Sequence, residues 1–354
     1  MKKIIAIALM LVLVCAMFCG CNKDSGKLYI PVMAKGFQHQ FWQAVKAGAD
    51  DAAKKYDVEI YFNGPNSETE IQAQVDMIKQ EMAKNPKAMA LAALSTDAVK
   101  EILQECADKN IPVIGFDSGV PGDTTGALKA TASTNNKNAA AIAATKFGEH
   151  TGLVDAMKNA TVENPVRIVC LSQDAVSESI VGRTTGFVDE MKKIAAQYGT
   201  VAVTGHETWN DGDVSAASII IEVAVSATTE ATSVQTASAA FLAKEDLIAV
   251  FCSNEGAVTG FLAAVSDGKD LDEGGKYEGL VVAGFDAGKA QKDAIRAKYF
   301  YGSVTQDPYR IGYLAVELAV KAANGETVTD VDTGAQWYDH TNIDNEDIAL
   351  LVYD

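Results

Sequence analysis

The sequence predicts an α/β protein of two similar lobes, each an open, doubly wound parallel sheet with helices on both faces. Three observations predict it. Apolar strand-like runs alternate with helical spacing along nearly the whole chain, the rhythm of βα units. Several of these runs are continuously apolar, as strands covered on both faces must be. One of them returns: Ile111-Pro112-Val113-Ile114-Gly115-Phe116-Asp117-Ser118-Gly119 is echoed by Leu280-Val281-Val282-Ala283-Gly284-Phe285-Asp286-Ala287-Gly288. Each copy is a buried strand ending in Gly-Phe-Asp-x-Gly. Upstream, Leu94-Ser95-Thr96-Asp97-Ala98-Val99 parallels Cys252-Ser253-Asn254-Glu255-Gly256-Ala257-Val258.

The elements follow in order. Leu28 to Met33 is a short apolar strand, after which Phe41, Val45, Ala49, Ala53 and Tyr56 recur at helical spacing. Val58 to Phe62 is strand-like. Ser67-Glu68-Thr69-Glu70 fits a capping box ahead of a helix with Ile71, Val75, Ile78 and Met82 on one face. Ala88 to Leu94 is the next strand, then a helix from about Asp97 to Lys109 and a strand from Pro112 to Phe116. The second half runs as a helix to Glu149, strand Val166 to Leu171, helix Gly182 to Ala196 and strand Thr200 to Thr204. A helix is expected next, then strand Ile248 to Cys252, a helix, strand Leu280 to Phe285 and a long helix from Tyr309 to Ala323.

The first residues stand apart. Lys2 and Lys3 precede an apolar run, Ile4 to Phe18, too short to span a bilayer but suited to a signal peptide core. Gly20-Cys21 follows it and resembles a bacterial lipobox: a small residue, then the thiol that takes the lipid. Residues 1–20 are therefore expected to be a signal peptide and 21–27 a tether lipid-anchored through Cys21. Cys106, Cys170 and Cys252 fall on strand or helix patterns and are expected to be small buried hydrophobes.

Composition narrows the function. The 354 residues are 48% hydrophobic and 22% charged, ample for buried cores and unlike a disordered chain. Lys plus Arg is 30 against 47 Asp plus Glu, a net charge of −17, which argues against nucleic acid as the partner. Six Cys are too few for a disulfide-built scaffold. No His-Glu-x-x-His appears and the four His are scattered, so no metal is expected. Gly284 to Ala290 is one residue short of a phosphate loop and lacks its Ser or Thr, and no Gly-x-Gly-x-x-Gly is present.

In open parallel sheets ligands bind beyond the carboxyl ends of strands, where Asp117 and Asp286 both fall. Here the chain resembles the type I periplasmic sugar-binding proteins, above all the ribose-binding branch, from Lys27 to about Trp337. The resemblance implies two lobes joined by a three-strand hinge that close around a sugar. It implies a lobe of 28–133 plus 307–333, a second of 134–306 plus 334–354, and crossings near 133–135, 306–307 and 333–335. It places the adjacent aromatics Phe41 and Trp42, then Asp117, Arg183 of Arg183-Thr184-Thr185-Gly186-Phe187, Trp209, Asn254, Phe285 with Asp286, and Gln306 in the binding site. The ribose branch has an Asn-Pro pair before its aromatics, absent here, and an Arg after its first strand-end Asp, where this chain has Ser118. Lys35 is the candidate replacement cation; His39 is expected to be a solvated loop residue.

The chemistry of that set suits a sugar. Carboxylates accept from two hydroxyls at once, a guanidinium donates a rigid fork, and flat rings cover the C–H faces. The expectation is a receptor, not an enzyme, without cofactor: a monomeric lipoprotein outside the cell membrane that passes a monosaccharide to an ABC permease. A nucleoside or a furanosyl signal molecule is the alternative ligand. The alternative of another class is a lipid-anchored glycoside hydrolase using Asp117 and Asp286. A general acid needs a raised pKa, however, and Arg183 beside them favours ionisation of both. A DNA-binding repressor shares the two-lobe fold, but the signal peptide and the missing helix-turn-helix argue against it.

Overall fold

A computed structural model describes residues 26–353. The expected signal peptide, Cys21 and most of the tether lie outside the described residues. Among the described residues two sheets form, each the centre of one lobe.

The first sheet holds β1 (Tyr29–Met33), β2 (Glu59–Asn63), β3 (Met89–Leu91), β4 (Val113–Phe116), β5 (Leu128–Ser133) and β12 (Val331–Asp332), in the order β12-β5-β4-β3-β1-β2. The second holds β6 (Val166–Ser172), β7 (Val201–Thr204), β8 (Ile219–Val225), β9 (Leu247–Cys252), β10 (Val281–Phe285), β11 (Gly302–Gln306) and β13 (Ala335–Tyr338), in the order β13-β11-β10-β9-β6-β8-β7. All pairings are parallel except β11 with β13, which is antiparallel. Central strands such as β4, β10 and β11 are buried along their whole length, which explains their unbroken apolar or small-residue runs. The chain passes between the sheets after β5, after β11, and between β12 and β13.

The helices are α1 (Phe41–Tyr56), α2 (Ile71–Met82), α3 (Lys100–Asp108), α4 (Asn136–Glu149), α5 (Thr151–Asn159), α6 (Glu178–Ala195), α7 (Ala231–Leu242), α8 (Glu255–Ala264), α9 (Lys289–Arg296), α10 (Pro308–Ala323) and α11 (Glu346–Ala349). Two helix pairs fix the site. A Cβ on Gly48 of α1 would overlap the carbonyl of Tyr309, and one on Gly312 of α10 that of Val45. The two backbones therefore touch, which holds the first turn of α1 over its sheet. In the second lobe Gly186 of α6 lies against the Lys137 carbonyl of α4 in the same way, and this sets the height of Arg183.

Several expectations are corrected. Ser67 to Glu70 does not act as a capping box: Ser67 Oγ accepts from Thr69, Glu70 accepts from Asn66, and α2 begins at Ile71 with no side-chain cap. The region after β7 contains a strand before its helix. Ile219-Ile220-Ile221-Glu222-Val223-Ala224-Val225 is rich in β-branched residues and lies between β6 and β7. Its one charge, Glu222, is neutralised by Arg167 at 2.7 Å and Lys244 at 2.5 Å. The sequence also left β5, α5, β12 and β13 unread; β5 is half-buried and β12 only two residues long, so neither carries a strong periodic signal. Cys106, Cys170 and Cys252 are buried free thiols, and burial pushes Cys106 up to about 11 and Cys170 up to about 12. No helix among the described residues is long and apolar enough to cross a membrane.

Candidate functional site

The repeated Gly-Phe-Asp ends of β4 and β10 face each other across the gap between the lobes. Both Asp residues adopt positive φ, 55° at Asp117 and 74° at Asp286, a region that ordinary side chains avoid at a cost of about 1–3 kcal/mol. The neighbouring strand holds each in place. Asp117 donates its N–H to Ala132 O at 3.1 Å, and its carbonyl accepts from Ser133 Oγ at 2.6 Å. Asp286 donates to Val304 O at 2.8 Å, and its carbonyl accepts from Tyr338 Oη at 2.8 Å and Ser303 Oγ at 3.1 Å. The bend at each strand end turns the carboxylate into the cleft.

Lys35, His39, Phe41, Trp42, Glu68 and Asp117 from the first lobe meet Ile180, Arg183, Asn254, Asp286 and Gln306 around one small cavity. The expected residues Lys35, Phe41, Trp42, Asp117, Arg183, Asn254, Asp286 and Gln306 are thus brought together. Phe41 and Trp42 meet edge to face, ring centroids 5.0 Å apart. Arg183 donates Nε to Asn136 Oδ1 at 2.8 Å and Nη1 to Ser253 O at 3.2 Å. Its Nη1 lies 3.4 Å from Asp286 Oδ2 and its Nη2 3.9 Å from Asp117 Oδ1. It therefore stands between the two carboxylates. Lys35 spans the lobes, 3.2 Å from Asp117 Oδ2 and 3.1 Å from Ser179 Oγ. It places a cation beside Asp117, where the adjacent Ser118 carries no charge.

Two expected residues lie elsewhere. Trp209 packs in the core of the second lobe, its Nε1 donating to Thr185 Oγ1 at 3.0 Å, and does not line the cavity. Phe285 is fully buried beneath the site: Arg183 Cζ sits 3.9 Å above its ring, so it supports the guanidinium rather than bounding the empty space. His39 departs from expectation in the opposite sense. Its side chain is only 11% exposed, it lines the cavity, and Nε2 is buried without a hydrogen-bond partner.

Sequence reasoning also missed a buried relay across the cleft. Glu68 accepts from Trp42 Nε1 at 2.8 Å and from Gln173 Nε2 at 2.9 Å, and Gln173 Oε1 accepts from Asn254 Nδ2. Asn254 Oδ1 in turn caps α8 at Ala257 N. Glu68 was hidden in the capping-box pattern. Gln173 directly follows the carboxyl end of β6, and that position could have flagged it.

The electrostatics are those of buried, partnered charges. Contrary to the expectation that Arg183 favours ionisation at Asp117, burial pushes this carboxyl up, and the Lys35 and Arg183 cations offset this only in part. Burial also acts to raise Glu68, but Lys35, His39 and the bonds from Trp42 and Gln173 outweigh it and hold this carboxyl below its ordinary value. Lys35 loses solvation, yet Asp117, Glu68 and Asp174 keep its ammonium above the ordinary value. The cavity therefore presents fixed charges of both signs, two rings and several amides. Among the described residues no three His, Cys, Asp or Glu side chains gather to hold a metal ion. A roomier hollow lies on the second lobe, but Glu245, Lys276 and Glu278 on its rim are exposed, so it lacks a buried converging set.

Some polar atoms at the cleft have no hydrogen-bond partner although buried: Asp117 Oδ2, Gln306 Oε1 and His39 Nε2, with Asn136 Nδ2 beside Arg183. The Lys35 ammonium near Asp117 Oδ2 supplies charge but not hydrogen-bond geometry. Buried orphan groups are costly, and this cleft keeps several together.

Comparison with known proteins bears on the family and the fold. A family model described as "Periplasmic binding protein domain" matches residues 30–327. Among solved structures, a protein from Brachyspira murdochii described as "ABC transporter, LacI family transcriptional regulator" is 40% identical, with a TM-score of 0.77. The match covers 94% of this chain and 100% of that one. A carbohydrate transporter solute binding protein from Agrobacterium radiobacter, solved in complex with D-arabinose, is 26% identical over 92% of this chain and 99% of its own, TM-score 0.74. An ABC transporter solute binding protein from Agrobacterium vitis, with bound D-fucose, shares the fold at 24% identity and TM-score 0.74, over 92% and 100% of the two chains. No curated protein matches the chain.

Proposed function

Because the chain belongs to the periplasmic binding protein domain family, we propose that it captures a monosaccharide in the cleft between its lobes and delivers it to an ABC permease. The observation that carries this is the set of buried, unpartnered polar atoms around a small cavity roofed by Phe41 and Trp42. Hydroxyls can donate to Asp117 and Gln306 and accept from His39, while the rings cover an apolar sugar face. The D-arabinose and D-fucose complexes of similar proteins point the same way. Lobes of 28–133 plus 307–333 and 134–306 plus 334–354 would hinge at the three crossings and close on the ligand.

The receptor would be a monomer, held outside the cell membrane by a lipid on Cys21. Cys21→Ser should leave it unlipidated and in the soluble fraction; lipid labelling equal to that of the wild type would remove the anchor from the account. The binding claim is tested by thermal shift against pentoses, hexoses and ketohexoses, followed by chemical recovery of the ligand. A binding sugar present at 100 times its dissociation constant should add about 2.7 kcal/mol of stability and be recovered intact. A sugar converted at a steady rate, with conversion lost in Asp117→Asn, would put a hydrolase in place of the receptor.

A further inference from the structure

We infer that Glu255 of the second lobe is a positioning residue that caps helix α1 of the first lobe, so that closing the cleft is what fixes the Phe41–Trp42 pair. Helix N-termini leave backbone N–H groups without partners, and a side-chain acceptor normally supplies them from the residue just before the helix. In α1 that residue is Gln40, whose side chain makes no cap, and the first turn carries no acidic residue. Instead Gln40 Oε1 accepts from Lys289 N of the second lobe at 2.7 Å. The orphan donors are met from across the cleft: Gln40 N donates to Glu255 Oε1 and Phe41 N to Glu255 Oε2, each at 3.1 Å. The next two amides, of Trp42 and Gln43, bond back to the carbonyls of His39 and Gln40, so the dependence on Glu255 is confined to two N–H groups.

The second lobe is shaped to present that carboxylate. Glu255 is the first residue of α8, and its own N–H donates to Asp286 Oδ2 at 3.1 Å, which ties it to the strand-end carboxylate of the site. A Cβ on Gly288 would press on Glu255 Oε1 and displace it. Tyr353 lies 3.5 Å away through its hydroxyl, donates nothing to α1, and packs edge-on against Phe41 with centroids 6.3 Å apart. On the other side of the same turn Glu68, from the first lobe, holds Trp42 through its indole N–H. The aromatic pair is thus gripped by two carboxylates, and only the one from the second lobe must withdraw when the lobes separate. An open cleft would present a frayed α1 start, and closure would complete the helix and the ring pair together.

The inference rests on the proposed function only in requiring that the cleft opens and closes, so its test does not need a sugar. The Oγ atoms of Ser118 and Ser179 face each other across the lobes at 2.8 Å. Ser118→Cys with Ser179→Cys gives a closed form that can be locked by oxidation and released by reduction. Hydrogen exchange at the Gln40 and Phe41 amides is then measured with Glu255 intact, with Glu255→Gln and with Glu255→Ala. The expected result is slow exchange in the oxidised protein with Glu255, exchange roughly tenfold faster in Glu255→Ala, and an intermediate rate in Glu255→Gln. Equal rates in the oxidised Glu255 and Glu255→Ala proteins would overturn the proposal. The same three proteins without the added cysteines, saturated with D-arabinose, supply a second measurement if the crosslink does not form. Slowing at other cleft amides but not at Gln40 and Phe41 would again overturn the cap. No slowing anywhere in the cleft, with D-arabinose or with any other sugar of the panel tried in its place, would count against the proposed function and leave the crosslinked comparison to decide the cap.

Discussion

Asp117 and Asp286 end the two copies of one sequence repeat, share a left-handed backbone and face the same cavity, yet their carboxylates are in different states. Asp286 is nearly saturated by protein: Gln306 Nε2 at 2.7 Å on one oxygen, Glu255 N at 3.1 Å and Arg183 Nη1 at 3.4 Å on the other. Asp117 has two cations nearby, Lys35 at 3.2 Å and Arg183 at 3.9 Å, and an oxygen with no hydrogen bond. The same motif therefore builds a frame in one lobe and an open acceptor in the other. A repeat in sequence reports shared backbone geometry; the partners brought by other segments decide what each copy does.

The contrast can be tested by substitution. The largest effect belongs to Arg183, which touches both halves of it. Arg183→Ala takes the shared cation away from two buried carboxylates and a donor away from Asn136, and should cost about 3–5 kcal/mol of stability as well as binding. Denaturant unfolding checks it; a variant as stable as the wild type would mean the guanidinium is not the common support.

Asp286→Ala comes next. Gln306, Glu255 N and Arg183 all lose an acceptor, so the ligand-free melting point should fall, by an amount equivalent to about 1.5–3 kcal/mol, together with affinity. If affinity drops while the ligand-free protein melts normally, Asp286 is a ligand acceptor like Asp117 and the contrast disappears.

Asp117→Asn should behave in the other sense, weakening binding roughly ten- to a hundredfold with little loss of ligand-free stability. Its pH dependence gives a second check. Burial raises this carboxyl above its ordinary value of 3.8, so the folded state favours the proton. The stability this confers is complete below the unfolded value and is lost as pH rises through the higher folded value. The wild type should therefore lose ground to Asp117→Asn as pH is raised from below 3.8 to neutrality. A pH-independent difference in unfolding free energy would show that the two cations fully compensate the burial.

Trp209→Phe should give the smallest change: one lost hydrogen bond to Thr185, about 1 kcal/mol of stability, and unaltered binding. Weaker binding without destabilisation would return Trp209 to the site.

The sequence made the site legible where backbone and ligand chemistry coincide. The Gly-Phe-Asp strand ends, the Arg183 helix and the Phe41–Trp42 pair are local patterns; Asp117, Asp286, Arg183, Phe41 and Trp42 reach the cavity, while Phe116 and Phe285 are buried in the cores beneath it. What stayed hidden depends on long-range contact. Glu68 looked like a capping residue because its four-residue window fits one, and only the approach of Gln173, 105 residues later, shows where its carboxylate goes. His39 looked solvated because loop residues usually are; its burial comes from the second lobe closing over it. Trp209 matched by position in the chain but faces the core, since the connection that leaves β7 toward β8 can turn a ring to either side. In the fold, the apolar run Ile219 to Val225 was ambiguous between helix and strand, and its place between β6 and β7 is a tertiary fact.

The most direct test of the central claim is a calorimetric titration of the sugar panel into wild type, Asp117→Asn and Asp286→Asn, with the ligand-free melting point of each recorded on the same samples. The account predicts that at least one monosaccharide binds the wild type. It further predicts that Asp117→Asn loses affinity without melting earlier, and that Asp286→Asn loses both. Binding by none of the sugars, or an Asp117→Asn protein that binds as tightly as the wild type, would contradict it.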